Sequence, residues 1–497
     1  MHSPPRRVVI VGGGTAGWMA AAALSKAFGA GLSIQLIESD EIGTVGVGEA
    51  TIPTIRNLHL LLELGEADFM RAVNATFKLG IEFENWGALG ERYFHPFGGH
   101  GVDRWAAQFH HYWLRARQQG ETPPIDAFSY EAVLARTGRF GQVGEPKANY
   151  AYHFDASLYA ALLRRHSQQR GVVRIEGKVV DVRLDGESGF IHAVQLESGQ
   201  RIEGDLYIDC SGFRGLLIEQ ALQTGWEDWG QWLRSDSAVA VQTESVGAPL
   251  PYTRSTARSC GWQWKIPLQH RVGNGLVYSS HYMSDEAARK SLLDNLDGRP
   301  LTDPRVIKFR TGRRLQQWNK NCVALGLASG FLEPLESTSI HLIHNSIIRL
   351  IKLFPSGNSY QAEINQFNRE VKMEIEHIRD FIILHYHATC RADTPYWDAC
   401  RTMAIPETLR HKIDLFSTGG KIFRDDNELF SEPSWVAVLI GQGIIPKQYH
   451  PFTETLSAKE LDELLKGIKN RIATRVASQP SHREYVSGYC AALPVGV

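Results

Sequence analysis

The chain lacks most of what would tie it to nucleic acid, to a membrane or to an oxidising compartment. Its 53 Lys and Arg residues nearly balance 54 Asp and Glu, for a formal net charge of −1, so the basic footprint that a phosphate backbone demands is missing. No run of about eighteen apolar residues occurs, the length a membrane-spanning helix needs. Cysteine is scarce: Cys210, Cys260, Cys322, Cys390, Cys400 and Cys490 are scattered without paired spacing, which argues against a disulfide framework and fits a reducing cytoplasm. Histidine is plentiful, but no HExxH spacing is present, and His385, His387, Cys390 and Cys400 match no common zinc site. Arg6 and Arg7 lead straight into a strand with no apolar leader, so no secretory signal is expected. Repeats and low-complexity tracts are absent. What remains is an ordinary globular composition, 43% hydrophobic and 22% charged over 497 residues, with ample chain to bury a core.

What the chain does have begins at its start. Val8–Val11 is a β-branched run that reads as a buried strand, GGGTAG follows at Gly12–Gly17, and the Ala-rich Trp18–Phe28 reads as a helix. Ser33–Ile37 is a second apolar strand, ending at Glu38. A GxGxxG alone is weak, but here it sits between strand and helix with an acid closing the next strand, the context of a dinucleotide site. Gly12 permits the tight turn, Gly14 lets backbone approach a pyrophosphate, and Gly17 lets the helix pack closely on the strand. The helix N-terminus offers free N–H groups to phosphates, and Glu38 can accept from ribose hydroxyls. A second strand running into a glycine turn, Asp205–Gly215, is placed to serve the same ligand.

Further along, GTVGVGEATIP (Gly43–Pro53) indicates a loop whose backbone approaches something closely, and Ile55–Leu64 reads as a short helix. Phe77, Leu79, Ile81 and Phe83 alternate with Lys78, Gly80 and Glu82. That pattern predicts one half-buried strand with Lys78 solvated on its polar face. Trp86–Trp113 is dense in aromatics and histidines, including FHPFGGHG at Phe94–Gly101, and reads equally as a cavity lining or as core. Val172–Cys210 reads as a small antiparallel element with turns at Asp185-Gly186 and Ser198-Gly199. In GWQWKIP (Gly261–Pro267), Trp262, Trp264 and Ile266 share one face, and on pattern alone they read as core. After a buried strand at Asn321–Leu327, a helix is expected to begin near Ser337 or Thr338 and to stop before Pro355. Glu336 stands just ahead of it. The N–H groups of Thr338 and Ser339 can bind an anion there, the alternative being a plain Ser/Thr cap beside a surface Glu. Ile364, Phe367, Val371, Ile375, Ile378 and Ile382 mark one face of a long helix. A capping box at Ser457–Glu460 opens the last long helix.

Taken in order, GGGTAGW, GVGEATIP, the FKLG around Lys78, GWQWKIP and FLEPLEST resemble the flavin-dependent halogenases of the tryptophan halogenase type, over essentially the whole length. The resemblance implies an α/β (α+β) fold. A FAD-dependent monooxygenase-like dinucleotide-binding module with an additional sheet would span residues 1–355, and a mostly helical region, 356–497, would complete the substrate site. It implies FAD, used as FADH2, held by Gly12, Gly14, Thr15, Ala16, Gly17 and Glu38 together with Gly48, Glu49, Ala50 and Thr51. Chloride or bromide falls at Thr338 and Ser339. The family's essential lysine falls on Lys78, which hydrogen-bonds hypohalous acid or forms a haloamine. Its glutamate falls on Glu336, which polarises the oxidant or accepts the proton lost from the ring. Trp262, Trp264, Ile266 and Pro267 match a motif that keeps the organic substrate from the flavin, His95 and Phe97 match positions flanking an indole, and Trp435 lies in the region closing the substrate site.

The same resemblance implies a separate NAD(P)H-dependent flavin reductase, since no second GxGxxG is present, and a small aromatic substrate, an indole or another electron-rich ring, tryptophan included. It implies no metal, nucleic acid or membrane partner, a cytoplasmic setting, and either a monomer or a homodimer. A lysine in an apolar tunnel should have a lowered pKa and become a usable nucleophile, a shift that a nearby carboxylate opposes. Two other readings use the same residues: an aromatic hydroxylase on the same fold, against which Lys78 and the two tryptophans argue, and a flavin-binding or redox-sensing protein without turnover.

Overall fold

The computed structural model describes residues 6–42, 48–357 and 360–492; Gly43–Val47 of the GTVGVGEATIP stretch lie outside them. Strand Arg7–Val11 becomes the middle of a six-stranded sheet ordered 318–319, 322–324, 206–209, 7–11, 33–38 and 173–176. Every neighbouring pair is parallel except the short edge strand Trp318–Asn319. Val8, Val9 and Ile10 are fully buried because both faces of the sheet are covered, so the run shows no alternation. Val8 and Ile10 belong to the main core with the Thr15–Phe28 and Ser339–Lys352 helices, while Val9 and Val11 pack on the three-stranded antiparallel element of Val179–Leu184, Ile191–Leu196 and Arg201–Glu203. The expected antiparallel element is therefore present, and it roofs the dinucleotide sheet.

A seven-stranded sheet carries the other half of the site. Its order is 305–308, 237–243, 272–278, 261–267, 253–258, 80–84 and 92–96, antiparallel except where Thr253–Arg258 runs parallel to Gly80–Glu84. Here the expected single strand over 77–83 proves to be two. Thr76–Lys78 joins Glu49–Ala50 and Ala151–Phe154 in a small sheet, while Gly80–Glu84 joins the large one. Leu79 is the crossover, its N–H donating to the Pro251 carbonyl and its own carbonyl accepting from Phe97.

The polar face expected for this stretch is not solvated. Lys78 is 0% exposed and Glu82 4%, because protein groups replace water there: Glu82 meets Arg136 and Arg254, and Lys78 meets partners described below. Alternation reports which residues need polar company, and here that company is internal.

The C-terminal region is helical. Ser339–Lys352 begins one or two residues later than expected, and Gln361–His387 runs 27 residues. Glu432–Gly441 packs on strand Arg92–Pro96. The capping box at Ser457 and Glu460 is formed. One continuous hydrophobic core joins the six-stranded sheet, the large sheet and these helices. No helix among the described residues is long and apolar enough to cross a membrane.

Candidate active site

The two strand-to-glycine turns lie side by side. Cys210 N–H donates to the Val11 carbonyl at 2.8 Å, and Gly12 adopts φ +114° so tightly against the second turn that a Cβ would stand 2.2 Å from the Cys210 carbonyl oxygen. Gly17 lies against the Gly12 carbonyl, where a Cβ would fall at 1.9 Å. Gly14 differs: its Cβ direction meets no heavy atom within 4 Å. That open space over the start of a helix with no side-chain cap is the cradle a pyrophosphate fits. Thr15 and Ala16 open this helix. Glu38 closes the second strand, pairing with Arg174 Nε at 2.5 Å and accepting from Trp18 Nε1 at 3.2 Å.

Glu49 and Ala50, a two-residue strand, lead into a loop at Thr51. Among the described residues the Glu49 carboxylate has no hydrogen-bond or ion-pair partner, and burial pushes it up to about 7. Gly48 packs on the end of the tryptophan strand, its Cβ position lying 3.8 Å from Ile266.

Lys78 connects this loop to the turn that carries Glu336. Its Nζ donates to the Thr51 carbonyl at 3.0 Å and to Ser337 Oγ at 2.7 Å, and lies 5.1 Å from the centroid of the Phe97 ring. Burial lowers its pKa to about 7, against the opposing pull of the Glu336 carboxylate. Ser337 serves as acceptor because it sits at φ +60°, a left-handed residue between the short Pro334–Glu336 turn and the helix that follows. Thr338 is the helix N-cap and makes no side-chain capping bond, which leaves first-turn N–H groups for another acceptor. The plain cap beside a surface Glu is thereby set aside, since Glu336 is 1% exposed.

Two imidazoles hold Glu336. His95 Nδ1 lies 2.9 Å from Oε2, and His385 Nε2 lies 2.8 Å from Oε1, close enough for an ion pair though out of line for a straight hydrogen bond. Burial pushes the carboxyl up, but the two histidines together outweigh it and leave the group at about 2. His385 was read in the sequence only as a rejected zinc ligand. The signal that could have found it is its place four residues after Phe381 on the inward face of the long helix, where a polar residue needs a partner.

Aromatic side chains enclose the group. His95 lies against Phe381 and Phe430, which stack on each other at 3.8 Å, and Trp435 meets Phe381 edge-on at 4.9 Å. Trp435 itself is buried, its Nε1 donating to Glu428. Trp262 and Trp264 stand 6.0 Å apart on their strand. Trp262 Nε1 donates to Glu333 at 2.9 Å, and Trp264 lies flat over Gly275, where any Cβ would overlap its ring. Ile266 reaches Gly48 and Pro267 ends the strand, so one strand runs from the carboxylate turn to the start of segment 49–51. No cluster of metal-ligating side chains occurs among the described residues.

A dinucleotide-type turn, together with a buried lysine that joins the Thr51 loop to the turn of a buried carboxylate, is the layout of a flavoenzyme with two separate compartments. The tryptophan halogenase family model matches residues 7–458, and the chain belongs to that family: it is a flavin-dependent halogenase, an oxidoreductase that works with a separate flavin reductase on an aromatic substrate. It is 38% identical to the tryptophan 6-halogenase SttH of Streptomyces toxytricini over 97% of this chain and 98% of that one. Among solved structures it resembles Xcc4156, a flavin-dependent halogenase from Xanthomonas campestris (TM-score 0.97, 53% identity, 99% of each chain). It also resembles BrvH, a flavin-dependent halogenase from Brevundimonas sp. BAL3 (TM-score 0.94, 48% identity, 98% of this chain and 99% of that one). The hydroxylase alternative falls away with this assignment.

Proposed function

We propose that the enzyme halogenates an indole or a similar electron-rich aromatic ring, using FADH2, O2 and chloride or bromide, with Lys78 and Glu336 as its catalytic residues. The observation that carries this reading is Lys78: a fully buried amine held between the flavin loop, through the Thr51 carbonyl, and the carboxylate turn, through Ser337. Gly12, Gly14, Thr15, Ala16, Gly17 and Glu38 hold the dinucleotide, and Gly48–Thr51 face its flavin end. Bound there, reduced flavin with O2 and halide supplies hypohalous acid.

The chain's own residues do the rest. N–H groups of Thr338 and Ser339, at a helix N-terminus, take the halide without an arginine. Trp262, Trp264, Ile266 and Pro267 keep the aromatic substrate from the flavin and water from the oxidant. Lys78, with its pKa brought near neutrality, receives the oxidant by hydrogen bond or as a haloamine. The ring is held among His95, Phe97 and Trp435, with 356–497 completing that side. The new carbon–halogen bond forms at a ring carbon as the oxygen–halogen bond breaks and hydroxide leaves; the displaced ring proton passes to Glu336 and from it to the hydroxide, which becomes water.

His95 lies against Phe381, Phe430 and Glu336, surroundings that suit a flat aromatic ring. The alignment to SttH runs over 526 positions, more than the 497 residues present here, so that tryptophan halogenase carries segments this chain lacks. The test is product mass by LC–MS after incubation with FAD, a flavin reductase, NADH and each halide, against indole, tryptophan and phenols. A halogen isotope doublet on indole is expected to exceed that on tryptophan. A gain of one oxygen, or no product with any ring, would overturn the proposal.

A further inference from the structure

Glu333 leads into the short turn that ends in Glu336. It is fully buried, and Pro334 follows it and fixes the backbone at the first position of the turn. Both of its side-chain hydrogen bonds fall on one oxygen. Oε2 accepts from Trp262 Nε1 at 2.9 Å and from the Tyr386 hydroxyl at 2.5 Å, while Oε1 is buried with no hydrogen-bond partner among the described residues. Both donors are neutral, and burial pushes the carboxyl up to about 7. For stability alone, an apolar side chain of similar volume would serve as well or better. What the acid does is join Trp262, on the Gly261–Pro267 strand, to Tyr386, near the end of the Gln361–His387 helix. Trp86 packs against both rings, at 6.5 and 5.3 Å between centroids.

From this geometry we infer that Glu333 is a positioning residue for halogenation: it sets the Trp262 indole, and with it the wall between the flavin side and the aromatic ring, in register with the turn that carries Glu336 and Ser337. The inference rests on the reading of Trp262 as part of that wall. The two tryptophans are placed by different means. Trp264 Nε1 has no hydrogen-bond partner among the described residues, and shape alone places its ring, flat over Gly275. Trp262 stands opposite Ala257 and Val277 on the neighbouring strands, with no glycine to receive its ring, and its single donor goes to Glu333. Three residues after Glu333, Glu336 meets His95, and the next residue, Ser337, accepts from Lys78. A shift of Glu333 in this proline-stiffened turn therefore reaches the lysine and the ring base as well as the wall. Tyr386 carries the same constraint to the helix whose Phe381 stacks on Phe430 beside His95.

The experiment uses the full chain loaded with FAD. In protein labelled with 15N-tryptophan, Trp262→Phe identifies the Trp262 indole N–H signal. Glu333→Leu is expected to move it upfield, and Glu333→Gln, which keeps an acceptor oxygen, to leave it near its wild-type position. In turnover with a flavin reductase, NADH, bromide and indole, the quantity read is halogenated indole formed per flavin reoxidised. This yield should fall at least about tenfold in Glu333→Leu, within the range that a displaced positioning group produces. It should recover most of the way in Glu333→Gln, with FAD affinity unchanged in both. In a Trp262→Phe/Tyr386→Phe background, Glu333→Leu should lower the yield no further, because the groups it acts through no longer donate to it. A merely structural role would lower FAD binding and yield together and would not be rescued by glutamine. An unmoved Trp262 signal in Glu333→Leu, an unchanged yield, or a full effect in the double background overturns the inference. If Glu333→Leu does not fold, Trp262→Phe and Tyr386→Phe each remove one donor and should each lower the yield, and wild-type yields in both overturn it. If the wild type halogenates no ring, the halogenation reading fails separately. The Trp262 signal and the perturbation of bound-flavin absorbance by indole, expected in Glu333→Leu and not in wild type, then still decide the role of Glu333.

Discussion

Alanine at Gly14 adds one methyl group where the fold has room and the cofactor does not. The Gly14 backbone, φ −74° and ψ −172°, is open to any residue, and the added Cβ meets nothing within 4 Å. Two small terms then act on folding. Alanine is a poorer N-cap than glycine, by roughly 0.5–1 kcal/mol, and it restricts the unfolded chain, worth about 0.4–1 kcal/mol in the other direction. They nearly cancel, so stability should stay within about 1 kcal/mol of wild type. Flavin binding should not survive so well, because the methyl stands where backbone must approach the pyrophosphate; a loss of at least about tenfold, or about 1.4 kcal/mol, is expected. Alanine at Gly12 is the control. Its Cβ would overlap the Cys210 carbonyl at 2.2 Å from a residue at φ +114°, combining backbone strain of about 1–3 kcal/mol with a displaced neighbouring turn. Urea unfolding followed by circular dichroism reads stability, and quenching of flavin fluorescence reads affinity. The reasoning is refuted if Gly14→Ala binds FAD as tightly as wild type, or if Gly12→Ala is as stable as Gly14→Ala.

Lys78→Met should yield no halogenated product while binding FAD with unchanged affinity; lost flavin binding would make Lys78 a structural strut of the Thr51 loop. The same variant gives a pH test. Folding lowers the Lys78 pKa from its ordinary 10.5 to about 7, so between those values the unfolded chain binds the extra proton and stability rises with pH. Wild type should therefore gain stability over Lys78→Met between about pH 7 and pH 10, and a flat difference in urea titrations would refute the buried, perturbed amine. Trp264→Ala should open the wall: indole is expected to perturb the absorbance of bound flavin in the variant and not in wild type, and identical spectra would remove Trp264 from the barrier.

The one-dimensional pattern carried the dinucleotide unit because its physics is local. A β-branched strand, glycines at fixed spacing, a small-residue helix and an acid at the end of the next strand all lie within residues 7–38, and each constrains the backbone beside it. The long helix from Gln361 and the Ser457 capping box were legible for the same reason, period and cap chemistry being short-range. The site was legible through ordered motifs, which pointed to Lys78, Glu336 and the tryptophan strand without saying what touches what.

Tertiary structure decided the charges. Alternation put Lys78 on a solvated face, yet its hydrogen bonds go to Thr51, 27 residues away, and to Ser337, 259 residues away, partners that no local period encodes. Local sequence left open whether Glu336 was a surface acid; a strand 241 residues earlier brought His95 to it and the far end of a helix brought His385. Ser337 became an acceptor only through a left-handed turn set by the packing around it. Propensity and spacing act over a few residues, whereas burial and the pKa shifts it produces belong to whichever groups the finished fold places together.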